Sequence, residues 1–94
     1  MFIVLLNYKK SLEIVEKYLV EHRTFLDEGY AKNILIASGP KNPRTGGILI
    51  SQSKNQIELE NFIKRDPFYK NGVADYEIIE FNPIKYHTDF AKFL

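Results

Sequence analysis

Residues 34–51 read ILIASGPKNPRTGGILIS, two runs of β-forming aliphatic residues on either side of a stretch dense in Gly, Pro, Asn and Lys. The runs 34–38 (ILIAS) and 48–51 (ILIS) predict two strands, and the segment 39–47 between them predicts the long tip of a hairpin. What flanks this hairpin decides the fold. On each side of it the apolar residues stop running on or alternating and recur instead at steps of three and four, the spacing of one helix face.

Upstream, residues 2–8 (FIVLLNY) predict a strand, and Ser11 then has the chemistry of an N-cap, with Glu13 in the first turn favourably placed against the helix dipole. The helix is expected to reach about Lys32, tolerating Gly29 at modest cost, with Asn33 as a left-handed terminator. Downstream, Asn55 predicts the cap of a second helix over 56–65, and 75–81 (DYEIIEF) predicts the last strand. The order strand, helix, strand, strand, helix, strand is the split βαβ arrangement of ferredoxin-like domains, an α+β fold with a four-stranded antiparallel sheet. One domain over residues 1–94 is expected, with no internal repeat and no linker.

Two helices cover one face of such a sheet. Yet Phe2, Val4 and Leu6 alternate with Ile3 and Leu5, so both faces of the first strand are apolar, and the strands at 34–38 and 48–51 behave likewise. The second face is therefore expected to pack on another copy, making a homodimer in the manner of an α+β barrel. Tyr86, Phe90, Phe93 and Leu94 fall at helical spacing and predict a short amphipathic segment in the tail.

Composition narrows the chemistry. Thirteen basic and 12 acidic residues give a net charge of +1, which offers no electrostatic attraction for nucleic acid or a membrane surface. The chain has no cysteine, so disulfides, thiolate metal sites and cysteine nucleophiles are excluded, and a reducing, cytoplasmic setting is expected. The apolar run 2–6 is short for a signal-peptide core and lacks a basic start. No Gly-x-Ser-x-Gly elbow, phosphate-cradling glycine motif or metal-ligand spacing is present, and no cofactor or metal is expected.

Two polar residues interrupt the apolar stripes. Leu12, Val15, Leu19, His22 and Leu26 mark one face of the first helix, so a histidine stands where a core side chain is expected. Asp66 follows Phe62 by four residues and Ile63 by three and points with them; a carboxylate there must be paired or hydrogen-bonded. Pro67 disfavours helix at Asp66, which makes it a local cap for a new turn, a role that still leaves a lone pair for a neighbour. An aspartate bonded to one ring nitrogen of His22 fixes the tautomer and leaves the other nitrogen free toward a pocket.

His22 on the first helix, Gly39 and Pro40 at the end of the second strand, and Asp66-Pro67-Phe68 followed by Gly72 and Val73 together resemble the YciI-like family, over nearly the whole chain. The resemblance implies a dimeric ferredoxin-like α+β barrel with a pocket near the dimer interface. There His22 and Asp66 would form an acid/base dyad, and Ser38, Gly39, Pro40 and Phe68 would contact substrate. Many members carry an arginine three residues before the histidine. Here that position is Leu19, and Lys41 and Arg44 of the hairpin tip are the other possible cations, unless both are solvated.

Two function classes follow: a small-molecule enzyme of lyase or isomerase type using His22 and Asp66, or a non-catalytic binding or accessory domain in which that pair ties the two helices together. A third, an aromatic RNA-binding sheet platform, is opposed by the near-zero charge and by the expected dimer face. His87 is expected to be a solvated tail residue.

Overall fold

A computed structural model describes residues 1–94. The elements are β1 (Phe2–Tyr8), α1 (Leu12–Ala31), β2 (Leu35–Pro40), β3 (Gly46–Ser51), α2 (Gln56–Ile63), α3 (Pro67–Lys70), β4 (Ala74–Glu80) and a terminal 3₁₀ helix (Thr88–Phe93). The strands lie in the order β2-β3-β1-β4 with every neighbouring pair antiparallel. This is the ferredoxin-like fold: each βαβ unit leaves a gap in the sheet that a strand of the other unit fills.

Local chemistry sets the helix limits. The Ser11 hydroxyl accepts from Ile14 N–H, and Asn33 closes α1 in the left-handed region at φ 58°. Gly29 is tolerated in the helix because a Cβ there would lie 2.6 Å from Phe62 Cζ and 2.9 Å from Leu35 Cγ; its absence lets α1 pack closely on α2 and β2. The buried residues of α1 are Val15, His22, Phe25 and Gly29. Leu12, by contrast, is 48% exposed, and Leu19 and Leu26 are only half-buried because a cleft opens beside them.

The hairpin differs from its expected extent. Gly39 and Pro40 belong to β2, paired with Ile48 and Gly47, and β3 begins at Gly46, so the tip shrinks to residues 41–45. Pro40 is accommodated because β2 is an edge strand, and Gly46 because a side chain there would collide with β1.

Phe2, Val4, Leu6, Leu35 and Leu49 face the helices and form the core with Val15, Phe25, Leu59, Phe62 and Ile63. The register places Ile3, Leu5, Ile48, Ile50 and Ile79 together on the opposite face, where Ile48 is 37% and Ile79 42% exposed. In the tail, Phe90 meets both Tyr86 and Phe93 ring to ring, and the segment Thr88–Phe93 is 3₁₀ rather than α-helical. No helix is long and apolar enough to cross a membrane.

Candidate active site

The turn between α2 and α3 builds the inner half of the site. Pro67 occupies the first position of α3 and holds Asp66 in an extended conformation, φ −64° and ψ 127°, outside either helix. From there the carboxylate caps α3, with Oδ1 accepting from Phe68 N–H at 2.9 Å. The same oxygen accepts from His22 Nδ1 at 2.8 Å, and Oδ2 accepts from the Tyr76 hydroxyl. Asp66 is wholly buried, so three donors from α1, α3 and β4 replace its lost hydration.

Because an ionised carboxylate only accepts, the proton between the two side chains sits on Nδ1 in neutral His22. Phe68 then stacks on the imidazole, 3.9 Å between centroids and 3° between planes, and Tyr8 meets Phe68 edge-on at 6.1 Å. Ring position and tautomer are thus both set. No buried polar side-chain atom in the structure lacks a hydrogen-bond partner, and Nε2 makes no bond to protein. It is therefore accessible, on the side where His22 lines a cleft.

That cleft, of about 570 Å³, lies between α1 and the sheet. Leu6 and Tyr8 of β1, Leu19 and Leu26 of α1, and Ser38, Gly39 and Pro40 of β2 line it, with His22 and Phe68 at its inner end. Ser38 Oγ lies 2.6 Å from the Tyr30 hydroxyl, which orients it. Of the residues singled out from the sequence, His22, Ser38, Gly39, Pro40 and Phe68 thus surround one cleft, with Asp66 directly behind His22.

Arg44 and Lys41 part company. Arg44 lines the cleft and ion-pairs with Glu16 of α1, whose carboxylate, together with the Tyr8 hydroxyl, holds the guanidinium protonated even more firmly than usual. Lys41 bonds to Asn7 Oδ1 at 2.6 Å and does not line the cleft. His87 is remote and exposed, capping the 3₁₀ helix through Nδ1. No group of three or more His, Asp or Glu side chains converges to hold a metal.

Tyr76 is the member of the site that the sequence reading missed. Its alternation with Ile78 in β4 carried the signal, since a tyrosine on the inward face of a strand must bring its hydroxyl to a partner. Burial first, and then the charge and hydrogen bond of Asp66, push the Tyr76 hydroxyl far above the ordinary value of 10.0, so it remains a donor.

A family model described as the YCII-related domain matches residues 1–82. No curated protein sequence matches the chain significantly. Among solved structures, 5-chloro-2-hydroxyhydroquinone dehydrochlorinase (TftG) from Burkholderia phenoliruptrix AC1100, in complex with 2,5-dihydroxybenzoquinone, is similar at 20% identity and a TM-score of 0.72, over 87% of this chain and 94% of that one. At that identity the likeness is one of fold.

Proposed function

The chain belongs to the YCII-related family, and from that premise we propose that it is a small-molecule enzyme of the lyase or isomerase type, with His22 as the general acid and base and Asp66 as the residue that orients it. One observation carries the reading: Nδ1 is committed to a buried carboxylate while Nε2 is left without a protein partner beside a cleft. A pair that served only to tie the helices together would need no such opening, which counts against a purely structural role for His22.

Nε2 removes a proton from a carbon next to a carbonyl, and the electron pair moves onto the carbonyl oxygen as an enolate. The imidazolium that results is stabilised by Asp66. Expulsion of a leaving group from the neighbouring carbon completes an elimination; return of the proton to a conjugated carbon completes an isomerisation. The similar structure bears the name of a dehydrochlorinase, an elimination. Phe68 fixes the imidazole, and Ser38, Gly39 and Pro40 form the wall against which substrate lies.

The test is carbon-bound hydrogen exchange in D₂O, followed by proton NMR over a panel of small ketones and hydroxyquinones that includes 2,5-dihydroxybenzoquinone. The wild-type chain is expected to accelerate exchange for at least one member, and His22→Gln to lose about 10²–10⁴-fold of that rate, the range supplied by a positioned proton-transfer group. Exchange at the buffer rate across the whole panel would favour the binding-domain reading.

The same proposal includes a homodimer, one domain of residues 1–94 per subunit, joined through the sheet face that carries Ile3, Leu5, Ile48, Ile50 and Ile79. Light scattering should give twice the 11.0 kDa of one chain. Ile79→Glu, which puts a charge on the β4 side of that face, is expected to give the monomer. A wild-type monomer at micromolar concentration would sink this part of the proposal. Cytoplasmic residence belongs to the same reading, in keeping with a chain free of cysteine.

A further inference from the structure

The cleft is charged at its mouth and apolar along its walls. Glu16, Arg23 and Arg44 are the only acidic or basic side chains other than His22 that line it, so two guanidiniums face one carboxylate. Asp66 does not itself line the cleft; it lies buried behind His22, bonded to three donors. Arg44 reaches from the 41–45 tip to Glu16 on α1 through a single contact, Nη1 to Oε1. A guanidinium presents a planar fork of donors that matches a carboxylate through two parallel bonds, and with one bond to Glu16 and the Tyr8 hydroxyl beside it, part of that fork stays open. Arg23, the residue after His22, makes no ion pair and adds its charge to the same side. Leu6, Leu19 and Leu26 line the same cleft as these charges and His22.

We propose that the cleft selects a small organic monocarboxylate: its carboxylate takes the open fork of Arg44, its apolar body lies against Leu6, Leu19 and Leu26, and Glu16 competes for the same guanidinium. The placement of the reacting carbon at His22 rests on the proton-transfer reading above. The carboxylate preference does not. Glu16 weakens binding without abolishing it, because an incoming carboxylate exchanges one ion pair for another that is better aligned.

Benzoate and its uncharged near-isostere benzamide test this by two-dimensional NMR titration of the full chain. Benzoate is expected to shift the signals of Tyr8, Ser38 and Arg44 and to bind about tenfold more tightly than benzamide at low salt, the gap narrowing as salt is added. Arg44→Gln should erase the preference. Glu16→Gln should tighten benzoate several-fold and leave benzamide unchanged. Both side chains are partly exposed, so the variants should fold, and thermal melts check this. Equal affinity for the two probes, no benzoate-induced shifts up to its solubility limit, or weaker benzoate binding in Glu16→Gln would each overturn the proposal. Failure of hydrogen exchange with the carboxylate preference intact would reject the catalytic reading alone.

Discussion

Asp66→Ala is expected to cost about 3–5 kcal/mol, the penalty for removing one partner of a buried, hydrogen-bonded pair. The substitution strands the Phe68 N–H, the Tyr76 hydroxyl and His22 Nδ1 without the buried carboxylate that accepts from all three. A chain of this size has a stability on the order of 5–15 kcal/mol, so the loss is a substantial share of the margin. Urea denaturation reads it directly, and a loss below about 1 kcal/mol would mean that the three bonds are not made in solution. Asp66→Asn should be milder, because the amide oxygen still accepts while its NH₂ group is forced to face a donor.

The hydroxyl partner adds a pH signature. Tyr76 resists ionisation in the folded state, whereas a tyrosine in the unfolded chain ionises near its ordinary value of 10.0. The folded state therefore holds a proton that the unfolded state has released. The stabilisation is fully present below the unfolded value and declines above it by about 1.4 kcal/mol per pH unit. Tyr76→Phe removes the group. At neutral pH it should cost about 1.5–3 kcal/mol for the lost bond to a charged acceptor, and in alkali it should show a shallower decline than the wild type, followed by circular dichroism. Parallel alkaline slopes would contradict the assignment.

Gly46→Ala is the other large expected effect, through backbone rather than side chains. A Cβ at Gly46 would lie 1.8 Å from the Leu6 carbonyl oxygen and 2.8 Å from its carbon. Both atoms belong to β1, a strand bonded on both sides and so little free to move. Overpacking against side chains ordinarily costs about 1–3 kcal/mol because they can rotate away; a main-chain carbonyl inside the sheet has no such escape, so a loss of about 3 kcal/mol or more is expected. Gly39→Ala is the control. A Cβ there meets nothing within 4 Å, and its stability should stay within about 0.5 kcal/mol of wild type in the same urea melts. Because Gly39 borders the cleft, that variant also separates effects on ligand from effects on the fold.

By itself the sequence determined what depends on a few neighbouring residues. Periods of two and of three-and-four, the Ser11 and Asn55 caps, the left-handed Asn33 and the Asp66–Pro67 turn are properties of short stretches of backbone, and they were enough for the order of elements and hence the ferredoxin-like fold. They also aimed His22 and Asp66 at the same layer, since each continues the apolar stripe of its own helix. Tertiary structure decided what depends on where separate elements meet. Only strand register brings Tyr76 onto Asp66 and assigns Gly39 and Pro40 to a strand. The placement of α1 over the sheet leaves Leu12 exposed and Leu19 and Leu26 facing a cleft. The path of the 41–45 tip sends Arg44 to Glu16 and Lys41 to Asn7, two cations that look equivalent along the chain. Contacts between residues distant in sequence leave no periodic trace in either segment, and for that reason they become visible only when the elements are packed together.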